Sequence, residues 1–382
     1  MNGKKAFIIA ANLVIAIFVI QTHLKPFPDM VLKGAEQKIP LQMPTGADLF
    51  SGKFQAAVDQ WLKQHVGFRG FFIKCDNQVN YSLFSEFSRN NPRKVVLGKD
   101  KYLYEQPYID YYNRINQAKP EALEAKAVSL KLLQEKLLKK NVRLLLLITS
   151  SKTSIYPEFL PDRFILRDNL GKNDEYQNFL PVLRKHGINH IDGRELLLQK
   201  KAASEPNLYP TSGSHWSLYG SYFFTTALVD RIERLLGKRV THIGCKKVAR
   251  TREPLELDSD IARLGNILFT RSLFTEYLYP ETYPVGGAGS YKPSMLMVGT
   301  SFCWNIIPHL EKNGFFSRLN FYYYFNTDHS FPAGRHDPID KARVDWKGDI
   351  FKRDIILIEI NEIAFNETGF GFIEEALREL DK

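Results

Sequence analysis

Short, largely apolar runs alternate with helical patterns over most of the chain, and this alternation limits the possible folds more than any other property of the sequence. Three runs have the composition of strands that are buried on both faces, as in a parallel sheet; they are Val142–Thr149, Ser294–Val298 and Ile355–Ile360. Helical stretches between them would cover the two faces of that sheet. We therefore predict an α/β fold in which helices flank a parallel sheet.

Further elements follow from the same periodicities. Helices are predicted where apolar residues recur at three- and four-residue steps, over Pro120–Lys140, Asp174–Lys185, His215–Leu236 and Ile373–Leu380. Additional strands are predicted at Val95–Leu97 and Tyr102–Tyr104 (a hairpin around Gly98), at Ile188–Ile191 and at Phe321–Phe325. A short helix is expected from Trp304 onward.

The N-terminus predicts an attachment to a membrane. Lys4 and Lys5 precede the apolar run Ala6–Ile20, and no A-x-A cleavage site follows it. We interpret residues 1–22 as an uncleaved signal anchor in the cytoplasmic membrane, a single pass with the rest of the chain outside the cytoplasm. A cleaved signal and a buried soluble helix are the alternatives. Prolines indicate a stalk over 23–50, and helical patterns a lead-in over 51–90 to a main domain that ends at residue 382.

Charge and cysteine usage exclude several partners. The chain has 52 Lys and Arg and 42 Asp and Glu, a net charge of +10. A basic surface suits an acidic polymer or an anionic membrane, and the alternative, which we favour, is that the charge serves solubility alone. The basic residues form no block, and no zinc-finger or RNA-binding signature occurs, so we expect no nucleic-acid partner. Three widely spaced cysteines give no disulfide framework. Gly187 interrupts the pair His186 and His190, and we expect no metal site.

Ser301 is the first candidate for chemistry. It follows the predicted strand Ser294–Val298 and precedes a helix, and active residues of α/β sheets lie at the carboxyl ends of strands. A serine there can act as a nucleophile, with helix N–H groups available to an oxyanion. The alternative interpretation is that Ser301 only caps the helix.

Two further segments could contribute to the same cleft. His215 lies at a predicted loop-to-helix junction and is a candidate general base for a serine; the alternative is that this His, beside a Trp, has a structural role. Trp216 could line the cleft. Lys152 follows the strand Val142–Thr149, and Tyr156 comes shortly after it. Lys152 could line the cleft or be a solvated turn lysine.

Several segments together resemble the alginate O-acetyltransferase family, the SGNH-hydrolase-like extracytoplasmic partners of membrane-bound O-acyltransferases. The similar segments run in family order from about residue 60 to the end of the chain. They are Val66–Arg69, Val95–Tyr104, Lys152–Glu158 with Leu160-Pro161, His215-Trp216 with Gly220, Gly299–Phe302 and Ile358–Glu362. Each is weak alone, but six in order are fairly specific.

The resemblance implies a catalytic Ser–His–Asp set in which Ser301 and His215 match the family positions. The family aspartate does not match, because its position here is Gly213, and Thr300 replaces the Asp that usually precedes the serine. Loss of the triad Asp would leave His215 without the carboxylate that orients it. Three interpretations stay open: a substitute acid, a Ser–His dyad, or a catalytically impaired relative. The candidate substitute acids are Asp192, Asp258, Asp260 and Glu359.

The function that the resemblance implies is O-acyl transfer, with acetyl as the expected group, through an acyl-serine to hydroxyls of a secreted or cell-surface polysaccharide. The chain would need no cofactor of its own, because a multi-spanning O-acyltransferase would supply the acetyl donor across the membrane. A carbohydrate esterase would use the same serine and histidine. A polysaccharide-binding or assembly subunit without catalysis is the alternative from another class of function.

Overall fold

The computed structural model describes residues 3–34, 39–41, 43–87, 94–287 and 289–382. Residues 1–2 of the predicted anchor, 35–38 and 42 of the stalk, and 88–90 of the lead-in lie outside this description. The chain forms two units, one of residues 1–97 and 262–272 and the other of residues 98–261 and 273–382. The division into anchor, stalk and main domain stays a prediction.

The helices and strands of the described residues are numbered in chain order. The helices are α1 (Gly3–His23), α2 (Gly46–Phe50), α3 (Lys53–His65), α4 (Arg69–Phe84), α5 (Gln106–Tyr112), α6 (Pro120–Lys139), α7 (Lys152–Ile155), α8 (Glu175–Lys185), α9 (Gly193–Ala202), α10 (Leu218–Leu236), α11 (Asp260–Leu264), α12 (Ile307–Lys312) and α13 (Phe372–Leu380). The strands are β1 (Val95–Leu97), β2 (Leu103–Glu105), β3 (Arg143–Thr149), β4 (His190–Asp192), β5 (His242–Thr251), β6 (Tyr277–Val285), β7 (Ser294–Gly299), β8 (Arg318–Tyr323), β9 (Thr327–Phe331), β10 (Arg335–Pro338) and β11 (Ile355–Asn361).

The first unit contains a long apolar helix, α1, and the helices α2 to α4. Helix α1 has 21 residues, and at about 1.5 Å per residue it is about 31 Å long, enough to cross a bilayer core. It is the one helix among the described residues that is long and apolar enough to do so. Near its end Phe18 stacks on Phe72 of α4 with ring centroids 5.6 Å apart. The Gly67 N–H donates to Thr22 Oγ1 at 2.8 Å, so the lead-in helices are attached to the end of α1.

The second unit is built on a seven-stranded mixed sheet with the order β10-β9-β8-β7-β11-β3-β4. The strands β8, β7, β11, β3 and β4 are parallel, as the apolar runs predict. Strands β9 and β10 are antiparallel additions at one margin. The sheet is therefore mixed: the prediction of a parallel sheet is correct for the five central strands but not for β9 and β10. The side chains of β10 are all exposed, and they lack the apolar pattern that marks the central strands.

Alternate side chains of the central strands point into a core beneath helices α6, α8 and α13. Helix α6 begins with Pro120, whose fixed φ suits a first helical turn, and its apolar residues recur at three- and four-residue steps. Those that are buried are Leu123, Ala127, Leu130, Leu133 and Leu137. Helices α9 and α10 pack on the strands β3 and β4. The sheet is thus covered by helices, as predicted.

The carboxyl ends of the central strands lie along a single edge of the sheet. Asn361 of β11 lies opposite Thr149 of β3, and Gly299 of β7 lies opposite Tyr323 of β8. Residues that follow Thr149, Gly299 and Asn361 therefore emerge at the same edge, where ligands of open α/β sheets bind.

Candidate active site

Ser301 emerges at this edge directly after β7 and Thr300. It is the first residue of a short 3₁₀ helix, Ser301–Asn305. The cap of that helix is Thr300, whose hydroxyl accepts from the Phe302 N–H. The interpretation of Ser301 as a mere cap therefore does not hold, because Thr300 has that role and leaves the Ser301 hydroxyl available for another partner.

Three side chains form a continuous hydrogen-bonded chain at this edge. Ser301 Oγ lies 2.6 Å from His215 Nε2, and His215 Nδ1 lies 2.8 Å from Asp260 Oδ2. When the imidazole carries its proton on Nδ1, it donates to Asp260, and Nε2 accepts from the Ser301 hydroxyl. This is the arrangement in which a histidine can remove a proton from a serine.

The three groups are shielded but can be reached from solvent. The side chain of His215 is 10% exposed and that of Asp260 is 24% exposed, while Ser301 is partly exposed. The ring of Phe302 lies against His215 with centroids 4.8 Å apart. Partial burial strengthens the attraction between the carboxylate and the imidazole relative to the same pair in water.

His215 lies in a loop three residues before helix α10, so the helix predicted over His215–Leu236 begins later than expected. Helix α10 begins only at Leu218, because the Ser217 hydroxyl caps it by accepting from the Gly220 N–H at 2.9 Å. The loop is also bonded to the segment that contains Ser301: Trp216 Nε1 donates to the Phe302 carbonyl at 3.1 Å. This hydrogen bond connects the loop that carries His215 to the backbone that follows Ser301.

Asp260 reaches the site from a hairpin that the apolar pattern does not reveal. Strands β5 and β6 pair antiparallel, and the segment between them carries Asp260 at the start of α11. The carboxylate Oδ1 accepts from the backbone N–H groups of Ser214 and Ile261, both at 2.8 Å. Because these bonds fix Oδ1, the other oxygen is left to face His215.

Gly213 occupies a place in which no side chain fits. A Cβ atom at this position would meet the Leu257 carbonyl oxygen at 2.6 Å and Asp258 backbone atoms at 2.9 Å. The segment that supplies Asp260 therefore fills the space that an aspartate at position 213 would need. Of the four candidate substitute acids, Asp260 is the one whose carboxylate is hydrogen-bonded to His215.

The other three acids bond elsewhere. Asp192 caps helix α9 and accepts from the Tyr176 hydroxyl at 2.6 Å. Asp258 accepts from the Tyr279 hydroxyl at 2.6 Å, and burial raises its pKa to about 6. Glu359 lies beneath the turn that leads into Ser301, where it has its own set of donors.

Glu359 is completely buried and supports the backbone that carries Ser301. Its carboxylate accepts from the Thr149 hydroxyl at 2.6 Å and from the Thr300 N–H and hydroxyl at 2.6 and 2.8 Å. Burial raises the pKa of Glu359, and these hydrogen bonds oppose the rise. Glu359, which lies within the central strand β11, thus positions the turn before the serine and does not orient the histidine.

Lys152 is buried and not exposed to a cleft. Its Nζ donates to the carbonyl oxygens of Leu103 at 3.0 Å and of Thr211 and Gly213 at 2.8 Å. Burial lowers the pKa of Lys152 to about 7, and the charges of Asp260 and Glu105 oppose that change. Lys152 therefore fixes the loop that leads to His215, and the interpretation as a solvated turn lysine is corrected.

Tyr156 and Trp216 also belong to the interior. Trp216 is fully buried, and Tyr156 is 6% exposed. The Tyr156 hydroxyl accepts from the Leu208 N–H at 3.3 Å. Neither side chain lines an open cleft, so the expectation that they contact substrate is replaced by a packing role.

Sequence reasoning missed a second polar group beside the site. Ser214 Oγ donates to Glu105 Oε2 at 2.8 Å, and Glu105 is almost completely buried. The Tyr108 phenol hydrogen-bonds with Ser214 and is near the charges of Glu105 and Asp260; burial raises its pKa. Glu105 ends strand β2, so its place at a strand end was the available signal.

No cluster of three or more side chains suited to hold a metal ion occurs within the described ranges.

The family model of the SGNH hydrolase-like domain of the acetyltransferase AlgX matches residues 95–312, more than half of the chain. No protein of curated function matches. The O-acetyltransferase domain of Pseudomonas putida AlgJ is 17% identical, with a TM-score of 0.48 over 75% of this chain and 99% of that one.

Two other solved structures have a similar likeness. Pseudomonas aeruginosa AlgX is 15% identical, with a TM-score of 0.46 over 74% of this chain and 67% of that one. Bacillus cereus PatB1 is 13% identical, with a TM-score of 0.41 over 71% of this chain and 96% of that one. The family match covers both the Ser301 and the His215 segments. The chain therefore belongs to the alginate O-acetyltransferase-like family of SGNH hydrolase-like proteins, the family of the AlgX acetyltransferase domain.

Proposed function

We propose that this protein transfers an acetyl group through an acyl-serine at Ser301 to a hydroxyl of an extracytoplasmic polysaccharide. The observation that carries the proposal is the hydrogen-bonded chain from Ser301 through His215 to Asp260. Membership of an acetyltransferase family supports the choice of acetyl. The position of Asp260 supports a substitute acid over a dyad or an impaired relative, because its carboxylate is hydrogen-bonded to His215.

The reaction has two steps, formation of the acyl-serine and transfer of the acyl group to the acceptor. Ser301 Oγ attacks the acyl carbonyl carbon of the donor while His215 Nε2 takes the hydroxyl proton, and the leaving group departs with that proton. The acceptor hydroxyl then attacks the acyl-serine carbonyl and gives its proton to Nε2. The proton returns to Ser301 Oγ as that oxygen leaves. Asp260 holds the Nδ1–H tautomer and stabilises the imidazolium in both steps.

The proposal also includes the source of the acetyl group and the location of the protein at the membrane. Helix α1 alone cannot carry an acyl group across a membrane, so a multi-spanning O-acyltransferase would deliver it to the outer side. The chain would need no cofactor of its own. The apolar helix α1 supports attachment at the cytoplasmic membrane, with the second unit outside the cytoplasm.

The test uses the full chain in detergent with p-nitrophenyl acetate as an artificial donor. We expect an acetyl adduct on Ser301 by mass spectrometry, and its loss in Ser301→Ala and His215→Ala. Addition of an acceptor oligosaccharide should move the acetyl group to the sugar faster than to water.

Matched controls are Ser204→Ala and His336→Ala, since both side chains are exposed and outside the hydrogen-bonded chain. They should form the adduct at the wild-type rate. An adduct that persists in Ser301→Ala would disprove the assignment of the nucleophile. A folded wild-type protein without any adduct would favour a polysaccharide-binding subunit, and release of acetate without transfer to any acceptor would favour an esterase.

A further inference from the structure

An open groove lies at the same edge of the second unit as the nucleophile. It has a volume of about 540 Å³, and its lining includes Tyr324, Asn326, Asn366, Glu367 and Phe370. The rings of Tyr324 and Phe370 meet edge to face, with centroids 5.0 Å apart and planes at 82°. An aromatic surface bordered by amide groups is the combination that recognises a sugar, whose C–H face stacks on a ring while its hydroxyls bond to amides.

Both aromatic residues have a backbone conformation that their side chains disfavour. The φ angles are +49° at Tyr324 and +52° at Phe370, in the left-handed region that bulky residues rarely adopt. Asparagine or glycine would suit these turns better. Because strained residues cluster at functional sites, two strained aromatic residues that meet in one groove indicate that the rings themselves are needed there.

The groove is connected to the nucleophile through short stretches of backbone. The Tyr324 N–H donates to the Gly299 carbonyl at 2.9 Å, two residues before Ser301. The Tyr108 phenol is close enough to both Asp260 and Tyr324 to interact with them electrostatically. A sugar residue that rests on Tyr324 would therefore lie at the edge of the sheet from which Ser301 emerges.

The charges of the groove limit the kind of sugar. Lys126, the cation in its lining, is paired with Glu374 at 2.9 Å. Glu367 adds an exposed negative charge. A uronate needs a cationic partner, ideally an arginine that binds its carboxylate with two hydrogen bonds, whereas this lining would repel it. Neutral hydroxyls or an ammonium group suit the lining.

We propose that the groove between Tyr324 and Phe370 is the acceptor subsite and that it takes a neutral or amino sugar, not a uronate. The inference rests on the proposed transferase function and specifies the class of polysaccharide that would accept the acetyl group.

The experiment measures binding in the full-length Ser301→Ala protein by titration calorimetry, so that no chemistry interferes. The probes are cello-oligosaccharide, chitosan oligosaccharide and oligomannuronate at equal chain length. We expect the first two to bind at least about tenfold more tightly than the uronate at low salt. Tyr324→Asn should weaken binding about tenfold without a lower melting temperature, since asparagine tolerates the left-handed turn. Glu367→Lys should shift the preference toward the uronate.

Tyr283→Asn is the matched control, because Tyr283 is an exposed tyrosine on strand β6, and it should bind like the parent. If Tyr324→Asn does not fold, Phe370→Asn tests the same surface. Equal affinities in parent and both groove variants, or a preference for oligomannuronate, would overturn the inference. Failure of the two proposals can be told apart: an intact acetyl adduct without saccharide binding refutes the groove alone, and binding without any adduct refutes the transferase alone.

Discussion

The carboxylate that faces His215 comes from a different segment than the family pattern predicts. In that pattern the acid lies two residues before the histidine, at the position of Gly213. Here Asp260 follows His215 by 45 residues and is held by two backbone N–H groups. The physical requirement is only that an ionised carboxylate accepts from Nδ1–H, and a folded chain can meet it from any segment that reaches the site.

Replacing Asp260 with Asn tests this role directly. The amide keeps the size of the side chain but removes the charge, and it can favour the wrong imidazole tautomer. We expect formation of the acyl adduct on Ser301 to slow by about 10³- to 10⁴-fold, as measured by stopped-flow release of p-nitrophenol.

The control for this prediction is Asp258→Asn, two residues earlier. Asp258 bonds to Tyr279 and not to His215, so the rate of adduct formation should change much less. Equal losses in the two variants would mean that the segment acts through its fold and that Asp260 has no special role.

At this scale the sequence could predict part of the site and not the rest. Ser301 and His215 could be selected because each lies in a short motif next to a predicted strand or helix. Asp260 could only be named as one of four acids, because its approach to His215 depends on a hairpin closed by distant residues. The hydrogen-bonded pair Glu105 and Ser214 was not predicted, because neither residue is part of a repeating apolar pattern.

Among the elements, those buried on both faces were predicted well. Strands β3, β7 and β11 are apolar because helices cover both of their faces, so composition alone identifies them. Strands β9 and β10 are polar and partly exposed, and β5 alternates irregularly. Their pairing is fixed by turns and long-range contacts, which leave no regular pattern in the sequence.

A buried lysine, Lys152, is one of the groups that hold the loop before His215, and it gives a prediction about pH. The pKa of Lys152 is about 7 in the folded protein and about 10.4 in an unfolded chain. Between these values the unfolded state binds more protons, so the contribution of Lys152 to the free energy of unfolding rises with pH. The slope is at most about 1.4 kcal/mol per pH unit, and below pH 7 the contribution is constant at its lowest value.

The measurement compares urea unfolding of the wild type and Lys152→Met from pH 6 to pH 9.5. The difference in unfolding free energy, wild type minus variant, should be flat below about pH 7 and increase above it. Lys139→Met is the control, since Lys139 is exposed on α6, and its difference from wild type should not depend on pH in this way. A flat Lys152→Met profile would show that the lysine keeps its ordinary pKa.

At the scale of the whole molecule, helix α1 has an exposed apolar surface that is better suited to a lipid bilayer than to water. Phe7, Leu13 and Ile15 are each more than half exposed, and the helix buries only 6% of its most apolar window. An isolated helix with this surface would expose a large apolar area to water, whereas a bilayer would bury it.

We expect the full chain to sediment with membranes and to resist a carbonate wash, whereas a variant lacking residues 3–23 should be soluble. Intact mass should show the N-terminal helix still attached, as an uncleaved anchor requires. A mature protein that begins beyond residue 23 and is soluble would instead identify the helix as a cleaved signal.

The closed space around Gly213 has a consequence for the history of the site. An aspartate placed there would collide with the backbone of the segment that delivers Asp260, so the two ways of supplying the acid exclude each other. A lineage could not pass from one to the other through a functional intermediate that holds both acids unless the 255–261 backbone moved first. A search for the acid only at the position two residues before the His would therefore miss a chain such as this one, in which a carboxylate from another segment is hydrogen-bonded to His215.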